Sequence, residues 1–116
     1  MTFFTVLFVA TGLLTIILGI PMLQGRVKPN NWYGFRTRAT LESPDIWYPA
    51  NAYAGRLLVW LGVAIILASL LLALLPGISE DAYALLATGV LMLGLLIVVV
   101  LSLRYAKALE NEASDL

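Results

Sequence analysis

The chain has 116 residues, of which 61% are hydrophobic and 12% charged, about half the charge of an ordinary soluble domain. Seven basic residues balance seven acidic ones, and the mean hydropathy is +0.94. These figures exclude a disordered chain and a basic nucleic-acid-binding domain, and they leave more apolar surface than one core of this size can hide.

Three apolar runs, over about 3–23, 57–75 and 82–103, contain no charged residue. Crossing the hydrocarbon core takes roughly 20 apolar residues. Lipid offers no hydrogen-bond partners, so each run is expected to be helical. The first run lacks a basic leader and an A-x-A cleavage site, and it reads as a span rather than a signal peptide. Small residues recur every four positions in the spans, at Thr11, Thr15 and Gly19, at Ala64 and Ala68, and at Ala84 and Thr88. Such faces let helices approach closely in lipid. The Pro76-Gly77 break turns the second span back into the third.

All seven cations lie outside the spans. Arg26, Lys28, Arg36, Arg38 and Arg56 fall in the loop 25–56, and Arg104 and Lys107 follow the third span. With three spans, the loop and the tail share one face, which the positive-inside rule makes cytoplasmic. The N-terminus and the Glu80-Asp81 turn are then expected outside. Phe3, Phe4 and Tyr83 are read as outer boundary aromatics, and Trp32, Tyr33, Phe35, Trp47, Tyr48, Tyr53, Trp60 and Tyr105 as inner ones.

The loop holds most of the polar chemistry, and its aromatic content argues for order. Pro29-Asn30-Asn31 is turn chemistry. The segment 32–38 reads as extended, with Arg36 and Arg38 on one face and Phe35 and Thr37 on the other. Gly34 permits a bend or a close backbone approach. Ser43-Pro44-Asp45 starts a helix, on which Trp47, Asn51 and Gly55 share a face. Pro49 is expected to kink or interrupt it, which leaves a short interfacial helix bending into the second span near Gly55. The expected fold is thus an all-α membrane protein. It is one domain over 1–116, with three transmembrane helices and a long ordered cytoplasmic loop containing that short helix.

Asn30, Tyr33-Gly34, Arg36-Thr37 and Thr40, followed by Ser43, Trp47, Ala50-Asn51 and Gly55, resemble the core of the SdpI family of bacterial membrane proteins. The YGFRT piece followed by W-x-x-A-N, set between two spans, carries the resemblance. Many members of that family have further spans and an N-terminal domain. The resemblance implies a binding protein of the bacterial cytoplasmic membrane, in the toxin-immunity and signalling class.

The residues themselves supply a candidate binding set: Asn30, Tyr33, Gly34, Arg36, Thr37, Arg38, Thr40, Trp47 and Asn51. Arginine suits phosphate because its planar fork donates two parallel hydrogen bonds. A basic cluster at the inner face also attracts anionic lipid. The bland alternatives are topology anchors for the arginines, an Arg36 pair with Glu42 or Asp45, and packing roles for Trp47 and Asn51. The partners expected are the lipid bilayer (including anionic lipid), a membrane-active peptide toxin or a cytoplasmic protein, and further copies of the chain. No nucleic acid, cofactor or metal is expected. His and Cys, the usual bases, thiol nucleophiles and zinc ligands, are absent, and Glu42 and Asp45, a carboxylate pair by type, also fit helix-start chemistry, so no catalytic residue is assigned. A structural subunit of a membrane complex is the alternative function. A lipid-handling or transport role is weaker, because no span carries an ionisable residue.

Overall fold

A computed structural model describes residues 2–115; Met1 and Leu116, the ends of the expected domain, lie outside the described residues. Four helices follow in order: α1 (Thr2–Leu23), α2 (Arg38–Glu42), α3 (Pro44–Ala73) and α4 (Glu80–Ser114). Among the described residues no other regular element occurs, and α1, α3 and α4 are each long and apolar enough to cross a membrane. The protein is therefore a multi-pass membrane protein built on three helices.

Two expectations about the loop fail. Half of the segment 25–56 is helix, because α3 begins at Pro44 and runs without a break through Gly55 into the span. Pro49 does not interrupt it. Proline removes the donor to the carbonyl four residues earlier, which here is Asp45, in the first turn where helices are least committed. The separate short helix lies upstream instead, at α2, which shares only Arg38 with the segment expected to be extended. Its signal is a Thr-x-x-Thr capping box: the Thr37 hydroxyl accepts from the Thr40 N–H (3.2 Å), and the Thr40 hydroxyl accepts from the Thr37 N–H (2.7 Å). Ser43 occupies the cap position of α3 but makes no side-chain cap bond.

α3 is the central member: α1 packs along one side and α4 along another, while α1 and α4 barely touch. The α1–α3 seam is set by two pairs of glycines. A methyl group on Gly62 would lie 2.5 Å from the Gly12 carbonyl oxygen, and one on Gly55 would lie 2.6 Å from that of Gly19. Gly12 and Gly19 are seven residues apart, as are Gly55 and Gly62. Seven residues is close to two helical turns, so each pair stays on one face. This heptad pairing supplants the four-residue stripes expected from the sequence. Gly19 is in the seam, but Ala64 and Thr88 are exposed, and the hydroxyls of Thr11 and Thr15 bond back to the carbonyls of Leu7 and Thr11, each at 2.8 Å.

Where the three long helices meet, Phe8 of α1, Leu61 and Ile65 of α3, and Tyr83, Ala87 and Val98 of α4 form the main core. Tyr83 is fully buried, and its hydroxyl donates to the Ser69 carbonyl (3.0 Å). It joins α4 to α3 and faces the core. The α3–α4 turn closes at the Ser79 cap, whose hydroxyl accepts from the Ala82 N–H (3.1 Å). Glu80 and Asp81 in the first turn of α4 complement the helix dipole.

The molecule is 59 Å long, against a hydrocarbon core of about 30 Å. The excess is at the loop end, where the first turns of α3 and the charged last turns of α4 extend past the apolar runs and carry α2 and the loop.

The glycine seam predicts a contrast. Gly55→Val is expected to cost about 1–3 kcal/mol, because neither backbone can retreat. Gly89→Ala is expected to be neutral or to gain up to about 1 kcal/mol of helix propensity, since nothing lies within 4 Å of that position. Thermal unfolding of both variants in one detergent checks this. A Gly55→Val protein as stable as the parent would rule out the seam.

Candidate functional site

The segment 24–37 has no helix or strand to pair its peptide groups, and side chains do so instead. The chain leaves α1 through a Schellman turn: Gly25 N–H donates to the Met22 carbonyl (3.2 Å), and Arg26 N–H to that of Pro21 (2.9 Å). Gly25 takes the left-handed conformation this turn requires (φ 70°). Asn30 then organises the next turn. Its Oδ1 accepts from the N–H groups of Trp32 (2.8 Å) and Tyr33 (2.7 Å). Its Nδ2 donates to the carbonyls of Lys28 (2.7 Å) and Tyr33 (3.1 Å).

The centre of the site is the first part of α3. Asn51 is buried, and its Oδ1 accepts from Phe35 N–H (2.6 Å) while its Nδ2 donates to the Phe35 carbonyl (3.1 Å). The carboxamide thus pairs both polar groups of one residue, as a neighbouring strand would. A further Nδ2 bond to the Trp47 carbonyl (3.0 Å) anchors it to its own helix. Trp47 has 0% exposure, and its indole Nε1 donates to the Val27 carbonyl (2.8 Å). Trp47 and Asn51 share a helical face, as the spacing predicts, and between them they hold both ends of the loop.

Gly34 lies over these two side chains with φ 117°. A methyl group there would lie 2.6 Å from Asn51 Oδ1 and 3.3 Å from the Trp47 ring. Both the conformation and the space demand glycine. Thr40 is fully buried, and its hydroxyl proton has the carbonyls of Phe35 (3.2 Å) and Thr37 (3.0 Å) within reach. Tyr33 reaches back to α1, where its hydroxyl donates to the Leu18 carbonyl. Desolvation pushes the Tyr33 phenol above its ordinary pKa of 10.0, which keeps that donor protonated.

The structure therefore brings Tyr33, Gly34, Thr37, Thr40, Trp47 and Asn51 together around Phe35, with Asn30 bracing the turn beside them. Arg36 and Arg38 are different, since both are exposed. Arg36 donates to the Asn31 carbonyl, so the expected pair with Glu42 or Asp45 does not form. Glu42 pairs with Arg38 instead (3.1 Å), an exposed i,i+4 contact worth only about 0.3–0.5 kcal/mol. Phe35 and Trp32 were missed as site residues. The role of Phe35 is carried by its backbone, which side-chain chemistry does not announce. Trp32 was read as a boundary aromatic and is 90% exposed.

An apolar cleft of about 260 Å³ lies beneath Tyr33, Gly34 and Phe35, with Leu18 and Met22 of α1 on one side and Leu95 of α4 on another. The loop closes the gap that α1 and α4 leave between them. On the far side of α3, Tyr53 stacks on Tyr105 of α4 (centroids 4.4 Å apart, planes 8° apart), with the Arg56 guanidinium 5.6 Å from the Tyr53 ring.

The SdpI/YfhL protein family matches residues 26–106, which takes in the loop from Arg26 onward, α2, α3 and the span of α4. The chain belongs to this family. No curated protein and no solved structure matches it. In this SdpI-family chain, the residues that carry the resemblance are largely those that fold the loop onto α3.

Two measurements test that arrangement. Asn51→Leu strands the Phe35 N–H and leaves its carbonyl only the Thr40 hydroxyl, and Trp47→Phe strands the Val27 carbonyl, at about 1–3 kcal/mol per buried unsatisfied group. Limited trypsin digestion should then cut faster at Arg26 and Arg36 in both variants; unchanged cleavage would count against the clamp. Tyr33 gives a pH signature. A raised folded-state pKa means that its contribution is complete below about pH 10 and is lost as pH rises through the higher folded value. Tyr33→Phe should flatten the fall in thermal stability between about pH 9 and 11, and a fall as steep as the parent's would contradict the assignment.

Proposed function

We propose that this chain is a membrane binding protein of the SdpI type, in the toxin-immunity and signalling class. In this reading its loop face lies in the cytoplasm and recognises a membrane-active peptide or a protein partner through residues 31–38. The supporting observation is a contrast within the five residues 31–35. Tyr33, Gly34 and Phe35 are tied down by hydrogen bonds and close packing, while Trp32 between them and Asn31 stands 90% exposed. A large rigid side chain on a fixed turn loses little entropy on binding, and tryptophan and arginine are over-represented where interface energy is concentrated.

Around Trp32, the exposed Lys28, Arg36 and Arg38 make the surface basic. One guanidinium N–H of Arg36 goes to Asn31, which orients the fork and leaves donors for a carboxylate or a phosphate. Asn30, Tyr33, Gly34, Thr37, Thr40, Trp47 and Asn51 serve recognition by holding that surface in shape. Arg36 and Arg38, with Trp32, make the contacts. The cytoplasmic placement is supported by the gathering of all seven cations at the loop end. A binding role needs no nucleophile or base, which agrees with the residues available.

The test uses cells protected by the parent chain against a membrane-active peptide toxin. Trp32→Ala with Arg36→Ala is expected to lower protection about tenfold or more, as loss of a contact of 2 kcal/mol or more would, at parental abundance of the protein. Parental protection by that double variant would refute the recognition surface, and a C-terminal reporter reading as external would refute the cytoplasmic placement.

A further inference from the structure

A second cleft, of about 540 Å³, opens between α2 and the last turns of α4. Arg38 and Glu42 stand on the α2 wall, Lys107 and Glu110 on the α4 wall, and Leu103 and Ala106 contribute apolar lining. The apolar run of α4 stops at Leu103, and Arg104 is the first charge after it. The cleft therefore straddles the level at which hydrocarbon gives way to lipid headgroups.

Its charges are mixed, and they are ordered. Outward along α4, Lys107 comes first, and Glu110 follows about 4.5 Å further on at 1.5 Å per residue. A zwitterionic phospholipid presents its groups in the same sequence: a phosphate next to the glycerol, then an ammonium. The α2 wall repeats the pairing with one guanidinium and one carboxylate. Among the described residues Lys107 and Glu110 make no ion pair, and the Arg38–Glu42 pair is exposed on both sides, a contact that exchanges readily for a ligand.

We infer that this cleft binds the headgroup of a phospholipid bearing a primary ammonium, phosphatidylethanolamine in class. Arg38 and Lys107 take the phosphate, Glu42 and Glu110 take the ammonium, and Leu103 and Ala106 meet the glycerol end of the chains. The two carboxylates disfavour a purely anionic lipid. A trimethylammonium group has no N–H to give them, so the choline analogue is weaker. The assignment shares Arg38 with the loop's recognition surface, but neither Trp32 nor Arg36 lines the cleft, and Lys107 and Glu110 belong to the cleft alone.

The experiment is native mass spectrometry of the delipidated full-length protein. It is titrated with phosphatidylethanolamine, phosphatidylcholine and phosphatidylglycerol of identical acyl chains. The ethanolamine lipid is expected to be retained at least about fivefold over each of the others. The Lys107→Ala, Glu110→Gln double variant, altered only at exposed positions, is expected to lose that preference. Equal or better retention of phosphatidylglycerol would overturn the inference, as would a preference that survives the double variant. Free phosphoethanolamine is expected not to displace the lipid. Displacement at millimolar concentration would reassign the cleft to a soluble ligand and overturn the lipid source.

Discussion

Residues 24–37 carry a row of peptide groups with no ladder or helix to pair them, at the edge of a hydrocarbon layer that offers no partners of its own. The carboxamide of Asn51 meets that constraint at the middle of the segment, giving Phe35 both an acceptor and a donor. Everything else in the loop is placed relative to this contact. Gly34 must lack a side chain because Asn51 and Trp47 occupy the space beneath it. Tyr33 is thereby aimed at the Leu18 carbonyl of α1. Thr40 closes the far side by capping α2 while its hydroxyl approaches the same Phe35 carbonyl. An apolar residue at position 51 would leave the Phe35 N–H bare and its carbonyl with the Thr40 hydroxyl alone, a loss that surroundings of low dielectric make costly.

The same helix face also sets the spans. Trp47, Asn51, Gly55 and Gly62 lie four, four and seven residues apart, so they form one stripe along α3. Its first part grips the loop with polar atoms, and its second part admits the backbone of α1 through glycines. This explains why α3 is continuous across the boundary where a bend near Gly55 was expected. A break there would disconnect the residue that orients the loop from the residues that hold α1. The continuous helix makes the loop and the α1 span parts of one rigid body, in which Tyr33 adds a hydrogen bond from the loop to α1.

Much of this was legible in the sequence. Uncharged apolar runs dictate the spans, because length and the cost of burying charge leave few alternatives. The shared face of Trp47, Asn51 and Gly55 followed from helical spacing. What the sequence hid has physical causes. Pro49, the sixth residue of α3, looks like a break but removes only the donor to the Asp45 carbonyl, so it misplaces the end of the loop. A Thr-x-x-Thr capping box uses a hydroxyl where a carboxylate or amide is usual, so the start of α2 carries no familiar signal. Glycines at seven-residue spacing were overlooked beside the commoner four-residue pattern. The pairing of an asparagine with a backbone sixteen residues away leaves no local trace at all.

Membership in the SdpI/YfhL family bears on function through this division. The family match spans 26–106, and within the loop the residues that carry the resemblance are mostly clamps with their polar atoms already engaged. Trp47 and Asn51 are buried, so a ligand could reach them only by opening the loop. A substitution at either changes the loop's shape first and its contacts second, and loss of function there says nothing about what is recognised. The informative positions are those whose side chains leave the scaffold, Trp32 and Arg36 on the loop and Lys107 and Glu110 on α4. Their removal strands no buried group. An effect there at unchanged abundance reports on recognition, because the clamp that presents them is still closed.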